Sequence, residues 1–240
     1  MNAADRYRLQ ADKWLGSILE RPAWTLTENG SAPLAELARS GPSFATAKIA
    51  AAATQEVAAL EAIGFRAVDM ALTFDAAHIE ARPPASGVRF AKSQDHEAVE
   101  AIAGSAFRFS RFHLDPRLPR ALADKVKAAW AGNWFRGARG DGMVVAEADG
   151  RVAGFLQLLW APQDCLLIDL IAVQPHSARR GLARAMITFA YARGTGDARR
   201  PRSMAVGTQA ANTPSVRLYE SLGFRLRDAK FVLHHHGAQT

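Results

Sequence analysis

The sequence predicts an α/β fold, in which helices pack against a sheet. A hairpin is expected where two alternating strands meet at Asp149-Gly150, a dipeptide typical of tight two-residue turns. Residues 166–173 form an apolar run of strand length, interrupted only by Asp169. Residues 181–192 then place apolar side chains at helical spacing, so a helix is expected to follow that strand.

The first part of the chain ends in a predicted strand–helix–strand unit. Residues 44–50 have the composition of a strand, and Thr54 can cap a helix that continues to residue 63, where Gly64 can end it. Residues 67–74 alternate as a second strand. The sequence Pro-Pro-Ala-Ser-Gly at 83–87 has the composition of a linker, so we expect a partial N-terminal domain at 1–82 and a larger domain at 88–240.

The second part is predicted to follow the order βαα-βββ-αβαβ. It opens with a short strand and two helices, which a connection rich in arginine and proline separates. The hairpin, the apolar strand and alternating helices and strands follow. Strands are predicted at 88–91, 142–147, 152–159, 166–173, 203–208 and 231–235, and helices at 98–107, 121–136, 181–192 and 214–222.

The chain also contains an internal repeat. Residues 54–69 align with residues 213–228 at a fixed offset and share a Gly-Phe-Arg sequence where the helix gives way to a strand. Chance agreement is the alternative, because this kind of junction is common. The first copy lacks the polar residues Asn212 and Tyr219 of the second, so it is expected to be a scaffold without a site of its own.

Composition is that of an ordinary globular protein with a basic surface. The 240 residues are 49% hydrophobic and 22% charged, which allows a core, and the formal net charge is +7. The single cysteine, Cys165, excludes an intrachain disulfide, and no secretory signal or membrane-spanning run is evident, so a cytoplasmic protein is expected. The sequence shows no helix-turn-helix, zinc-finger or aromatic platform. A phosphorylated small molecule is therefore the expected anionic partner, rather than nucleic acid or a membrane, although a merely solvated basic surface stays open.

A strand that leads through a basic loop into a helix supplies the elements of a phosphate site. The strand ends near Val173 and Pro175, and Arg179, Arg180 and Gly181 lead into the helix. The start of a helix offers unpaired backbone N–H groups and the positive end of the helix dipole. Because Gly181 leaves room for close approach, the sequence predicts that a pyrophosphate binds here.

This segment resembles the central motif of the GNAT superfamily of N-acetyltransferases. In that motif V-x-P and three variable residues precede G-x-G-x-G/A at the start of a helix. The resemblance implies acetyl-CoA as co-substrate and a mixed, mostly antiparallel sheet flanked by helices, here preceded by a partial GNAT-like βαβ unit. Two positions depart from the motif, since Ala178 replaces the usual Arg or Gln and Arg179 replaces the first Gly. The resemblance implies that cofactor-binding residues are Ile171, Ala172, Val173, Arg179, Arg180, Gly181, Leu182 and Ala183.

A second segment, Asn212 to Phe224, also resembles a GNAT pattern. Thr213 is suited to cap the helix and Gly223 to follow its end. In the family, the Asn contacts the CoA arm and the Tyr hydroxyl protonates the departing thiolate. The resemblance implies these roles for Asn212 and Tyr219, and a neutral phenol is a suitable donor. The alternative for Tyr219 is a tyrosine that only fills the core.

Shorter matches resemble the dTDP-fucosamine acetyltransferases, which acetylate an amino group on a nucleotide-linked sugar. The matches are residues 110–113, residues 187–194 and the degenerate half-repeat before the larger domain. The resemblance implies a small-molecule amine as acceptor, with Arg111 and His113 holding its diphosphate, because arginine forks onto phosphate oxygens. Alternatively, this loop only covers the core.

The acceptor amine must lose a proton before it attacks, so a base is expected. Asp169 is the candidate, being a carboxylate on the strand beside the expected thioester; the alternative is a charge on an edge strand that faces solvent. His234 and His236 share one face of the last predicted strand. No further ligand is evident at a suitable spacing, so no metal is expected.

The sequence thus predicts an acetyl-CoA-dependent N-acetyltransferase in which a primary amine attacks the thioester directly. Two alternatives stay open. One is an N-acetyltransferase for another amine, such as an antibiotic, a polyamine or a protein N-terminus. The other is a catalytically silent acyl-CoA-binding regulatory module. The family resemblance also leaves a homodimer open.

Overall fold

The computed structural model describes residues 6–39, 41–80, 87–197 and 199–237. Apart from Gly87, the predicted linker lies outside these residues. The strands are β1 Arg8–Ala11, β2 Ala23–Thr27, β3 Phe44–Ala50, β4 Arg66–Ala76, β5 Val88–Phe90, β6 Gly142–Ala148, β7 Arg151–Ala161, β8 Cys165–Val173, β9 Ser203–Gln209 and β10 Arg225–His236. The helices are α1 Lys13–Leu19, α2 Glu36–Arg39, α3 Thr54–Ala62, α4 His96–Ala106, α5 Arg111–Leu114, α6 Arg120–Phe135, α7 Leu182–Arg193 and α8 Thr213–Glu220.

All these strands join one sheet, in the order β1-β2-β3-β10-β4-β9-β8-β7-β6-β5. The pairs β2–β3 and β8–β9 are parallel, and the other described neighbours are antiparallel. The predicted mixed, mostly antiparallel sheet is therefore confirmed. Strand β10 lies between β3 and β4, so the two predicted parts of the chain share one sheet, while their division into two domains stays a prediction.

Helices cover both faces of the sheet, as the packing of β6 shows. Val144 and Ala146 pack with Met186 of α7. Met143 and Val145 pack in a different cluster, with α4 and α6. Because successive residues of a strand point to opposite faces, α7 lies on one side of the sheet and α4 and α6 lie on the other.

The internal repeat corresponds to two similar units, β3-α3-β4 and β9-α8-β10, at the centre of the sheet. Their last strands are exchanged, because β4 pairs with β9 and β10 pairs with β3. Strands β4 and β10 also pair with each other in antiparallel fashion. In α3, the fully buried Leu60 occupies the repeat position of Tyr219 in α8. Helix α3 begins without a side-chain cap, whereas the side chain of Asn212 caps α8.

The predicted elements from residue 44 onward are present, with small shifts at their ends except in β10, which begins at Arg225. At the predicted hairpin, Asp149 and Gly150 both have positive φ angles, of 53° and 73°, as a tight turn between right-twisted strands requires. The sequence did not reveal β1, α1, β2 and α2, which are short; β1 buries only Leu9. None of the helices in the described ranges is both long and apolar enough to cross a membrane.

Candidate active site

One continuous cavity of about 1080 Å³ extends from the start of α7 across the middle of the sheet to α5 and α6. It opens because the two parallel strands at its centre diverge. Strands β8 and β9 pair only as far as Ile168 and Val206, although β8 continues to Val173. The other edge of β8 stays paired with β7 up to Val173. The edge of β8 that faces β9 is therefore free beyond Ile168, and a ligand chain can hydrogen-bond there.

The gap between the diverging strands β8 and β9 forms a wedge, and its wall contains the predicted strand residues. Ile171, Ala172 and Val173 all line the cavity. Opposite them, Gly207 of β9 also lines it, and a side chain added at this glycine would have no neighbour within 4 Å. The wedge is thus open at its centre rather than filled by the protein's own side chains.

The basic loop before α7 has the geometry of an anion site. The first backbone bond of α7 runs from Ala185 N–H to Gly181 C=O, so the preceding N–H groups have no partner within the helix. Arg179, Gly181, Leu182 and Ala183 line the cavity. Arg179 replaces the first glycine of the motif and keeps a φ of 61°, in the left-handed region that glycine adopts most easily.

The predicted cofactor residue Arg180 is not among the residues that line the cavity. Its guanidinium donates instead to Asp149 at 3.0 Å, in the turn between β6 and β7, and both side chains are exposed. Such an exposed pair contributes little to stability. Arg180 is therefore placed to add charge near the loop rather than to form the cavity wall.

The two predicted residues of the second segment also reach the cavity. Asn212 rather than Thr213 caps α8: its Oδ1 accepts from Ser215 N–H at 3.4 Å. Tyr219 is 2% exposed and packs against Phe224, with ring centroids 5.6 Å apart. Its ring lies in the core and lines the cavity, and no hydrogen bond of its hydroxyl to another described residue is recorded. Burial raises the pKa of Tyr219, so the phenol keeps its proton.

Asp169 lies at the narrow end of the wedge, on an interior strand and not on an edge. Pairing between β7 and β8 skips it, which marks a β-bulge. Its carboxylate accepts two hydrogen bonds from Arg139, at 2.7 and 2.8 Å, one from Trp130 Nε1 at 2.9 Å and one from Gln157 Nε2 at 3.2 Å. With its oxygens so engaged, Asp169 is placed to anchor α6 and the loop after it.

Basic side chains line the opposite end of the cavity. Arg111 donates to Thr46 Oγ1 at 2.6 Å, and burial lowers its pKa to about 10. Lys127 is 8% exposed and lies over the rings of Phe107 and Trp130, and burial lowers its pKa to about 7. Neither side chain forms an ion pair with a carboxylate of the described residues, although more distant carboxylates act on both. A buried ammonium group such as that of Lys127 is costly without a close counter-ion, and negative charge on a ligand reduces that cost.

Three further charged residues line the cavity that were not predicted from the sequence, namely Lys48, Asp69 and Lys127. Lys48 on β3 and Asp69 on β4 belong to the first unit, so the expectation that this unit is only a scaffold is incomplete. The sequence does contain a feature that points to Lys127, because this lysine falls on the same helix face as the buried Ala123 and Ala131.

His113, predicted with Arg111 to bind substrate, is not a cavity residue. Its ring is hydrogen-bonded to Ser110 Oγ at 2.6 Å and to Asp124 at 2.9 Å, and its side chain is 3% exposed. Burial lowers its pKa despite the nearby carboxylate. His113 therefore fixes the loop that carries Arg111, and this position outside the cavity does not support the predicted contact with substrate.

His234 and His236 meet a third polar group that their sequence positions do not reveal. Both donate to the same oxygen of Asp115, at 2.7 and 2.8 Å. Ligand atoms of the three side chains lie within 4.8 Å of one another, so Asp115 is a further potential ligand that the sequence spacing did not reveal, while the absence of a metal stays a prediction. Burial lowers the pKa of His234 to about 4, so it is neutral near pH 7. Arg21 also lies 3.5 Å from His236, and its charge disfavours a cation.

Comparisons with known proteins agree with this geometry. A protein-family model described as "Acetyltransferase (GNAT) family" matches residues 98–224. A "dTDP-fucosamine acetyltransferase" of Escherichia coli is 29% identical over 193 residues, which cover 78% of this chain and 80% of the relative. A "Spore coat polysaccharide biosynthesis protein" of Bacillus subtilis, SpsD, is 31% identical over 140 residues, which cover 58% of this chain.

The chain spans about half of the Bacillus subtilis protein, with 47% of that relative covered. Among solved structures, a GCN5-related N-acetyltransferase from Kribbella flavida has a TM-score of 0.55 at 14% identity, covering 90% of this chain and 82% of that one. At this identity the likeness shows a shared fold. The fold and the family match together confirm that the protein belongs to the GNAT family of acetyltransferases.

Proposed function

We propose that the protein transfers an acetyl group from acetyl-CoA to a primary amine on a nucleotide-linked amino sugar. One observation carries the proposal. A single cavity joins a strand wedge and a helix N-terminus, which suit acetyl-CoA, to the buried Lys127 and the half-buried Arg111, which form no ion pair with a described carboxylate and suit an anionic acceptor.

The residues present fit acetyl-CoA, which supplies the acetyl thioester when bound. The free N–H groups at the start of α7 and the charge of Arg179 suit its pyrophosphate. The free edge of β8 from Ile171 to Val173 suits the amides of its pantetheine arm. Gly207 leaves the space that this arm needs. Asn212 lies at the start of α8 on the same cavity, and we expect its amide to contact the arm.

Two groups of the chain suit the transfer step. Backbone N–H groups on the free edge of β8 can donate to the carbonyl oxygen, where negative charge develops as the amine attacks. Tyr219 remains protonated because burial raises its pKa, so its hydroxyl can donate to the departing sulfur. Asp169, the predicted base, is better suited to hold Trp130 and Arg139 in place, and the proton of the amine then passes to water in the cavity.

The acceptor is assigned from charge. Arg111 and Lys127 together match a diphosphate, since Arg binds phosphate oxygens in a fork and Lys acts as a point charge. A neutral amine or a polycation would leave both cations unpaired. The Escherichia coli relative's name gives a nucleotide-linked amino sugar as its acceptor, which agrees with this charge.

An acceptor panel tests the proposal. Purified protein is supplied with acetyl-CoA and, in turn, a nucleotide-linked amino sugar, the same sugar without its nucleotide, a polyamine and an aminoglycoside, and acceptor-dependent CoA release is measured. We expect the nucleotide-linked sugar to have the highest kcat/KM, and Arg111→Gln to lower it about tenfold or more. A preference for the polyamine or aminoglycoside would replace the acceptor, and binding of acetyl-CoA without any transfer would support a silent module instead.

A further inference from the structure

The acceptor side of the cavity extends well beyond the place where transfer occurs. Strands β8 and β9 separate after the pair Ile168–Val206, and Val206 pairs in turn with Phe74 of β4. Asp69, which also lines the cavity, lies further along β4, at about 16 Å from Phe74 for a strand rise of about 3.3 Å per residue. The cavity therefore has a remote end that an amine and its sugar alone do not fill.

Two charged side chains of the first unit form this remote end. Lys48 on β3 and Asp69 on β4 are both register partners of Val232, which lies between them on β10. Register partners share a face of the sheet, so Lys48, Val232 and Asp69 lie side by side on the cavity wall. Pairing of β4 with β10 skips Val68, and a bulge at this position directs the neighbouring Asp69.

Lys127 and Arg111 lie between the ends of the cavity. Lys127 lies over the ring of Trp130, and Trp130 donates to Asp169 at the narrow end of the wedge. Arg111 is close enough to Lys48 and Asp69 to influence the pKa of each. A molecule with its amine in the wedge and its diphosphate on these cations therefore extends toward Lys48 and Asp69.

Asp69 has an unused hydrogen-bond acceptor at this end. Oδ2 of its carboxylate is buried and makes no hydrogen bond to any described residue. Burial raises the pKa of Asp69 to about 6, although the nearby Lys48 and Arg111 act in the opposite direction. A buried acceptor without a donor is costly, and a donor on a ligand removes that cost.

We propose that Lys48 and Asp69 bind the nucleoside end of the acceptor, with Asp69 as the specificity-determining group that accepts a hydrogen bond from the base. The proposal rests on the proposed function, which places a diphosphate on Arg111 and Lys127. A pyrimidine dione, as in thymidine or uridine, presents one N–H donor beside carbonyl acceptors. The N–H of this base can donate to the carboxylate of Asp69, and a neighbouring carbonyl can accept from the ammonium group of Lys48. Adenine does not present an N–H between two carbonyls.

Calorimetric titration of the full chain tests this inference without requiring acetyl transfer. Thymidine 5′-diphosphate, adenosine 5′-diphosphate and inorganic pyrophosphate are titrated in the presence of saturating CoA, which blocks the cofactor half. We expect the thymidine nucleotide to bind the wild type about tenfold more tightly than either other probe, since a hydrogen bond to a charged group has about this value. Asp69→Asn should remove that advantage without weakening pyrophosphate.

Asp75→Asn is the matched control, because Asp75 lies on the same strand, is half-exposed and is not a cavity residue. It should leave all three affinities unchanged. If Asp69→Asn unfolds, Lys48→Gln provides the second variant, with loss of the thymidine advantage again expected. Equal affinities of the wild type for the three probes, or an unchanged advantage in Asp69→Asn, would overturn the inference. Failure to acetylate amino sugars, with the nucleotide preference intact, would contradict only the proposed function.

Discussion

Lys127→Met measures the cost of keeping an ammonium group buried in the acceptor half of the cavity. Methionine retains an unbranched side chain of similar length and removes the charge. In the wild type the side chain is 8% exposed, and Nζ lies 4.7 Å from the ring centroids of both Phe107 and Trp130. The substitution therefore leaves most of the packing in place and changes chiefly the electrostatics.

The expected change in stability follows from the lowered pKa of Lys127. Burial, and after it the repulsion from Arg111, lowers the pKa of Lys127 from 10.5 to about 7. When the lysine is protonated in both folded and unfolded chains, this difference destabilises the fold by about 5 kcal/mol. Contacts of the cation with two rings offset about 2 kcal/mol. We therefore expect Lys127→Met to raise the free energy of unfolding by about 3 kcal/mol at pH 6.

The pH dependence of the stability independently checks the direction of this effect. Between pH 7 and 10 the unfolded lysine keeps a proton that the folded one has lost, so the wild type gains stability from this group as the pH rises. The variant lacks that gain, and the difference between the two proteins should shrink toward pH 10. Urea unfolding followed by tryptophan fluorescence at pH 6 and pH 10 measures both quantities.

Lys125→Met is the control, because Lys125 lies on the same helix with its side chain 56% exposed. It should change stability little at either pH. A Lys127→Met protein that is less stable than the wild type at pH 6, or a stability gain that does not depend on pH, would refute the reasoning. The same variant should raise the KM for a nucleotide-linked acceptor about tenfold, with an unchanged KM for acetyl-CoA, because a charged ligand contact is lost.

Three further predictions concern other parts of the site. Tyr219→Phe keeps the packing against Phe224, so acetyl-CoA affinity by calorimetry should not change while kcat falls about a hundredfold; an unchanged kcat would sink the assigned donor role. Asp169→Asn should lower the free energy of unfolding, measured in urea, by about 2 kcal/mol or more, because the charged contacts with Arg139 are lost. Asp164→Asn is the control, because Asp164 pairs with Arg199 at the exposed surface, and it should lower the same quantity by less than about 1 kcal/mol. The free energy of unfolding of the wild type should fall by about 3 kcal/mol as the pH falls from 6.5 to 4, because His234 takes up a proton in the unfolded chain but not in the folded one, where its pKa is about 4. The variant His234→Asn should lack this fall. An equal dependence of unfolding free energy on pH in both proteins would contradict the prediction.

The strand, loop and helix at the start of α7 could be predicted because the sequence features that specify them are local. A strand, a proline, small residues and a helix start lie within one short stretch, and each has a direct structural meaning. The turn at Asp149-Gly150 and the cap region of α8 are of the same kind, although Asn212 and not Thr213 proved to be the cap. Such features depend on backbone conformation that neighbouring residues determine.

The opposite end of the cavity could not be predicted because distant segments build it. Its charged residues come from four separate elements, and Lys48 and Asp69 lie side by side only because β10 is inserted between β3 and β4. The contact of Asp115 with two histidines near the chain's end is equally long-range. His113 was assigned with Arg111 because the two are close in sequence, but the short helix α5 directs them to different surroundings.

The central claim is that the wedge and the loop before α7 bind acetyl-CoA. Calorimetric titration of the purified protein with acetyl-CoA tests it most directly, with Arg179→Glu as the comparison, because Arg179 lines the cavity and Arg180 does not. We predict saturable binding of acetyl-CoA to the wild type and weaker binding to Arg179→Glu, since a carboxylate at this position repels the pyrophosphate. Absence of binding to the wild type would contradict the account.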